Sequence, residues 1–257
     1  MLKHLYGSQI HIIDRPFLNG LLARLCAPET FQPEINELVE LLYSHLIAEV
    51  MDHELETVSM SLPTRMTQSH PDCLLTSKMV QPAQKVVSVN IARAGTYPSH
   101  ICFHDLHFAV AHQQLRQDHI FASRSVDPAN HVTGTEISST KIGGDIENTT
   151  VIFPDPMGAT GNTLIAGVDY YKKNVPGRAR KFIAIHLIVT PEYLRNVTRI
   201  HPDLVIYALR LDRGLSSEKV LASVPGTYWN EERGLNDKDY IVPGGGGFGE
   251  IMNNSFV

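Results

Sequence analysis

The chain has 257 residues, 43% hydrophobic and 19% charged, which is enough for one large core and excludes disordered and fibrous classes. A formal net charge of -5 offers no basic footprint for nucleic acid, so anionic ligands have to be held by local geometry. Cys26, Cys73 and Cys102 are odd in number and lack metal-type spacing, and neither an export signal nor a membrane-length apolar run is present, so a cytoplasmic protein without membrane contact is expected.

In chain order, residues 33–52 show a helical period, with Ile35, Leu38, Leu42, Leu46 and Val50 on one face. Residues 85–91 read as a buried strand that runs into Ile91-Ala-Arg-Ala-Gly95, where the Arg93 guanidinium has the fork geometry for a diphosphate. His100, His104 and His107 then fall at helical spacing. They raise the question of Zn²⁺, against which stand the bulky Ile101, Phe103, Phe108 and Val110 nearby. From residue 150 a strand (151–154), helix (162–173), strand (182–189), helix (191–200) and strand (204–211) alternate with short connections, the pattern of a parallel sheet covered by helices on both faces. Arg93 and Asp155 both fall just past strand ends, where ligands collect in such sheets.

The segment Val151-Ile-Phe-Pro-Asp-Pro-Met-Gly-Ala-Thr-Gly-Asn-Thr-Leu164 carries the most chemistry. A buried strand ends at Asp155, glycines follow, and the amides of Ala159, Thr160, Gly161, Asn162 and Thr163 open a helix. With the Thr160 and Thr163 hydroxyls and the helix dipole they form a cradle for a phosphate dianion. A carboxylate beside that phosphate is suited to accept hydrogen bonds from sugar hydroxyls, so the implied ligand is a ribose 5′-phosphate. On the residues alone, an ordinary strand-to-helix turn capped by Asp155 stays open.

This segment resembles the phosphoribosyl-diphosphate loop of phosphoribosyltransferases, and its Asp-Pro-Met-x-Ala-Thr-Gly form is similar to that of the uracil phosphoribosyltransferase family. Ile91-Ala-Arg-Ala-Gly95 resembles the family's diphosphate loop, and the region from Leu41-Leu-Tyr to Glu54-Leu-Glu56 has its look. His201-Pro-Asp203, Gly234-Leu-Asn236 and Tyr240-Ile-Val-Pro-Gly244 follow in the family's order, so the resemblance spans nearly the whole chain. It implies an α/β, Rossmann-like phosphoribosyltransferase core in a single domain. A small hood is expected from the N- and C-terminal segments, with a helical N-terminal part over about 1–60. The implied reaction moves phosphoribosyl from phosphoribosyl diphosphate to uracil, giving UMP and diphosphate. The implied cofactor is Mg²⁺ held mainly by substrate rather than by a protein cage, and the implied assembly is a homodimer or homotetramer.

By the same resemblance, Asp155 and Arg93 are the catalytic residues. Phosphoribosyl diphosphate is taken by Arg93, Arg124, Asp155, Met157, Gly158, Ala159, Thr160, Gly161, Asn162 and Thr163. Uracil is taken by Tyr240, Ile241, Gly246, Gly247 and Phe248, largely through backbone groups. Arg124, in Phe121-Ala-Ser-Arg-Ser125, matches the family's second arginine but lacks the acidic pair that follows it there.

Two departures stand out. Pro243-Gly-Gly-Gly-Gly-Phe-Gly-Glu250 places Gly247 where the family has an aspartate, and four consecutive glycines predict a loose hood before binding. Residues 214–233 read as an insertion containing Pro225, Tyr228 and Trp229, either folded over the hood, forming a partner surface or serving as a plain surface loop. A non-catalytic regulator that binds a nucleotide or phosphoribosyl diphosphate on the same fold is therefore the alternative. An RNA-binding regulator is disfavoured by the acidic balance.

Overall fold

The computed structural model describes residues 1–126 and 132–256, without the side chains of 123–126 and 132–134. In chain order the elements are β1 (Ile10–Ile12), α1 (Pro16–Leu25), α2 (Glu34–Glu54), β2 (Thr57–Leu62), β3 (Leu75–Val80), β4 (Lys85–Ala92) and α3 (Thr96–Leu106). There follow β5 (Leu115–Val126), β6 (Val132–Lys141), β7 (Thr149–Pro154), the two-residue β8 (Met157–Gly158), α4 (Asn162–Asn174), β9 (Lys181–Val189), α5 (Pro191–Ile200), β10 (Val205–Leu211), α6 (Glu218–Leu221) and α7 (Phe248–Ile251).

The main sheet runs β1-β10-β9-β7-β4-β5-β6, with β8 adding to β9. All neighbours are parallel except β5 and β6. Burial on both faces explains the near-continuous apolar runs of its central strands. In β9, Ile183, Ile185 and Leu187 face a core built with α1, α2 and α3, which includes Leu42, Leu46 and Val50. Phe182 and Ala184 face the opposite core, where α4 and α5 bring Leu164, Val168 and Val197. The amino-terminal region thus supplies two covering helices and also the edge strand β1. Between α2 and β4 the antiparallel pair β2–β3 stands off as a separate two-stranded arm, exposed along most of its length, with Leu62 and Leu75 in solvent. Among the described residues no helix is long and apolar enough to cross a membrane.

Strand order reverses at β4. The chain first moves outward to β5 and β6, then returns to place β7 on the other side of β4, which creates a crevice at the carboxyl ends of these two strands. The ladder between β4 and β7 stops at Ser88 and Ile152. Each strand continues beyond that point along its other neighbour, to Ala92 beside Phe121 and to Pro154 beside Ile185. The two strand ends therefore splay apart, and the loops that follow them face one another.

Residues 214–233 form a closed, packed unit. Arg213 donates through Nη1 to Glu232 Oε1 (2.9 Å) and to the Val220 carbonyl (3.1 Å), and through Nη2 to the Ser223 carbonyl (2.9 Å). The fully buried Glu232 also accepts the Gly226 amide (2.8 Å) and the Tyr6 hydroxyl. Trp229 donates its indole N–H to the Pro191 carbonyl (3.0 Å) and meets Tyr6 edge-on, which fixes the unit to the start of α5 and to the chain's amino-terminal residues. Removing one partner of a buried ion pair strands the other. Glu232→Ala should therefore cost about 3 kcal/mol in denaturant unfolding. The emission of Trp229, the single tryptophan, should report a local opening that Tyr6→Phe reproduces only weakly.

Candidate active site

The first wall of the crevice is the turn after β4. A Cβ placed on Gly95 would lie 2.8 Å from the Ile91 carbonyl oxygen and 2.9 Å from that of Pro154, so only a bare α-carbon lets this turn sit against the end of β7. The Ala92–Arg93 peptide is cis. Arg93 is exposed, and its Nη1 donates to the Ser255 carbonyl (3.1 Å) and hydroxyl (3.0 Å) in the C-terminal tail.

The second wall follows β7. Gly161 closes the loop at φ +85, and a side chain there would collide with Val197 of α5. The first intrahelical bond of α4 runs from the Ile165 amide to the Gly161 carbonyl (2.9 Å). The amides of Thr160, Gly161, Asn162 and Thr163 find no protein acceptor among the described residues, as the first amides of a helix have no intrahelical partner. The Ala159 amide differs, being turned inward onto the Met157 carbonyl (3.1 Å).

Asp155 sits at the foot of this loop, half-buried, and its Oδ1 accepts only the Met157 amide, at 3.3 Å. Burial pushes its carboxyl up to about 6, and the Met157 hydrogen bond opposes that rise. No cation pairs with it among the described residues. This carboxylate is kept partly desolvated and nearly free of partners beside the unpaired amides of the helix start.

The third wall is the C-terminal segment. The Gly244 amide donates to Asp212 Oδ2 (2.8 Å) and its carbonyl accepts from Arg210 Nη2 (2.8 Å). Arg210 and Asp212 themselves form a forked pair (Nε–Oδ1 2.7 Å, Nη2–Oδ2 2.8 Å). The Val242 amide binds the Gly234 carbonyl (2.8 Å), and Ile241 bridges Leu235. The glycine run is thereby held at its first residue and closed at its far end by Phe248, whose buried ring joins the core of α1 and α2. The Arg210–Asp212 anchor was not singled out in the sequence; its signal is an opposite-charge pair two residues apart at the end of an apolar strand. The carboxylate of Glu250 folds back into the space that a Cβ on Gly247 would need. A Cβ on Gly249 would touch Ala94 (3.5 Å), so α7 packs on the Arg93 turn.

The structure therefore brings Arg93, Asp155, the 157–163 loop and the 241–250 segment to one crevice. The Tyr240 ring is exposed, and the Arg124 side chain lies outside the described residues. The histidines of α3 do not assemble: His104 meets Asp105 (2.9 Å) and His107 turns to the Phe103 carbonyl (2.8 Å).

A parallel sheet with reversed strand order thus places the loops after β4 and β7 face to face. The chain belongs to the uracil phosphoribosyltransferase family, whose family model matches residues 12–228. It is 29% identical over 214 residues to the uracil phosphoribosyltransferase of Variovorax paradoxus, covering 82% of this chain and 90% of that protein. It is 28% identical over 246 residues to that of Macrococcus caseolyticus, covering 95% and 98%. The AQ2163 protein from Aquifex aeolicus shares the fold with a TM-score of 0.70 at 19% identity, over 95% of this chain and 97% of that one.

The raised Asp155 carboxyl has a consequence for stability. Its folded value of about 6 exceeds the ordinary 3.8, so between these the folded chain holds the extra proton and stability falls as pH rises through that window. Asp155→Asn removes the charge and should raise unfolding stability at pH 7 by about 1–2 kcal/mol, with the gain vanishing below about pH 4. Thermal melts at the two pH values check this.

Proposed function

We propose that this chain transfers the phosphoribosyl group of phosphoribosyl diphosphate to uracil, forming UMP and diphosphate, with Mg²⁺ as cofactor. The observation that carries the reading is the set of uncommitted amides at 160–163 beside the underpartnered Asp155, in a chain of this family. The amides, with the Thr160 and Thr163 hydroxyls and the positive end of α4, receive the 5′-phosphate. Asp155 accepts from the ribose hydroxyls and so orients the sugar. Arg93, released from Ser255, forks onto the diphosphate and favours its departure as charge builds on the leaving oxygen. Uracil lies against backbone groups of Ile241, Gly246, Gly247 and Phe248, with Tyr240 at the rim; the buried ring of Phe248 holds that backbone in place.

Among the described residues no group of three or more His, Cys, Asp or Glu side chains is placed to hold a metal ion. Mg²⁺ would be held mainly by diphosphate oxygens and water rather than by a protein cage, and would supply positive charge to the leaving group. The free cysteines suit a cytoplasmic setting, and the apolar residues of the β2–β3 arm suit assembly with further copies of the chain as a homodimer or homotetramer.

The test is incubation of purified protein with phosphoribosyl diphosphate, Mg²⁺ and a panel of pyrimidine and purine bases. UMP is the expected product, and Asp155→Asn or Arg93→Lys should lower kcat/KM by about 100-fold or more. Product from another base alone overturns the substrate. Tight binding of phosphoribosyl diphosphate by calorimetry, with no product from any base, replaces the enzyme by a regulator.

A further inference from the structure

The phosphate loop is held from behind by polar side chains that do not reach the crevice. On β9, the buried His186 faces the loop: Nδ1 lies 2.6 Å from the Asp155 carbonyl oxygen and Nε2 lies 2.5 Å from the Tyr193 hydroxyl on α5. A carbonyl can only accept, so Nδ1 carries the proton and Nε2 accepts from Tyr193. Burial keeps this imidazole neutral, pushed down to about 4, so the arrangement persists throughout the neutral range. One turn of α5 on either side of Tyr193 supplies two more donors. Thr190 Oγ1 donates to the Ala159 carbonyl (2.7 Å), and Asn196 Nδ2 donates to the Thr160 carbonyl (2.9 Å) and reaches Asn162 Oδ1 (3.1 Å).

The geometry of the peptide unit gives these bonds a second meaning. In a planar trans peptide the carbonyl of one residue and the amide of the next point in opposite directions. Fixing the Ala159 carbonyl toward α5 aims the Thr160 amide away from it, and fixing the Thr160 carbonyl does the same for the Gly161 amide. Both amides are among those that find no protein acceptor. The His186 bond acts on the peptide between Asp155 and Pro156, and so sets the direction in which the Asp155 side chain leaves the backbone.

We propose that Thr190, Asn196 and the Tyr193–His186 pair are positioning residues for phosphoribosyl diphosphate, with Thr190 and Asn196 aiming the phosphate-binding amides and Tyr193–His186 aiming the Asp155 carboxylate. This rests on the reading of the loop as the phosphoribosyl site. It adds a preorganising layer, made of one strand and one helix, to residues that touch the ligand.

The test uses the full chain and phosphoribosyl diphosphate as the probe, by calorimetry and by steady-state kinetics with uracil. Asn196 is half-buried on a helix, and alanine is the better helix former, so Asn196→Ala should melt like the parent. It should weaken phosphoribosyl diphosphate binding by about 10-fold while leaving the KM for uracil within about twofold. Asn196→Asp, which sets an acceptor against the Thr160 carbonyl, should weaken it further. His186→Leu should lower kcat more than it raises the KM for phosphoribosyl diphosphate, and His186→Asn, which keeps a donor at the Nδ1 position, should restore much of that loss. Tyr193→Phe, which removes a single oxygen, should shift kcat in the same direction as His186→Leu with the fold retained. Unchanged affinity in both Asn196 variants, or equal losses in His186→Leu and His186→Asn, overturns the proposal. If the parent chain itself binds no phosphoribosyl diphosphate, the functional reading fails first and takes the positioning role with it.

Discussion

The architecture of the site depends on how β4 and β7 part and then meet again. Their ladder ends at Ser88 and Ile152, yet the turn after β4 comes back so close that a Cβ on Gly95 would lie 2.9 Å from the Pro154 carbonyl oxygen. The crevice between them is therefore narrow at its floor and open above. The Arg93 turn is wedged against the strand that delivers Asp155, and the same turn is the surface on which α7 rests. A single steric condition, the absence of a side chain at position 95, thus sets the spacing between the Arg93 turn and the strand that delivers Asp155, and that turn also seats the C-terminal wall.

Against this frame the polar groups of the interior fall into two kinds. Asp118 accepts from Arg116, the Gly143 amide and the Tyr171 hydroxyl; Asp212 is forked by Arg210 and takes the Gly244 amide; Glu232 holds Arg213, Tyr6 and the Gly226 amide. Each of these carboxylates has enough partners to offset its desolvation, and each ties loop to scaffold. Asp155 has one weak partner and a carboxyl raised toward neutrality. Beside Asp118, Asp212 and Glu232, that contrast means the free protein carries some instability at Asp155, the residue to which the proposed function gives the ribose hydroxyls.

Much of this was legible in the sequence wherever local pattern and tertiary role agree. Residues 181–189 and 191–200 are apolar and amphipathic runs whose periods survive into β9 and α5, and the Asp155 to Thr163 segment announces its turn through its glycines. The β2–β3 arm was not foreseen although Thr57-Val-Ser-Met-Ser-Leu62 alternates with period two, because its apolar face of Val58, Met60 and Leu62 is only three residues long and is only partly covered. β1 is three residues long, too short for any periodic signal, and exists because β10 offers it an edge. The glycine run at 244–247 looked unconstrained because its anchors, Arg210 and Asp212, lie more than thirty residues away. His186 did leave a trace, as the one ionisable residue inside the otherwise apolar Phe182–Val189 stretch, but its partners come from a later helix and from a backbone carbonyl that no sequence pattern displays.

What joins these parts is α5. Its buried side, with Tyr193, Leu194 and Val197, packs into the core, and Val197 lies where a side chain at Gly161 would go. Its first turn has a second set of duties: Glu192 accepts the amides of Gly234 (2.9 Å) and Leu235 (3.4 Å), while the Pro191 carbonyl takes Trp229 of the 214–233 unit. Residues 234–235, which lead to the 241–250 wall of the crevice, and the 155–163 loop are thus hung on α5 and its N-cap, at position 192 on one side and at 190, 193 and 196 on the other. Because that helix is fixed to the sheet by apolar packing rather than by the ligand, both walls are set before substrate arrives. Residues 214–233 then serve a structural end, holding the start of α5 in place from outside while the sheet holds it from within.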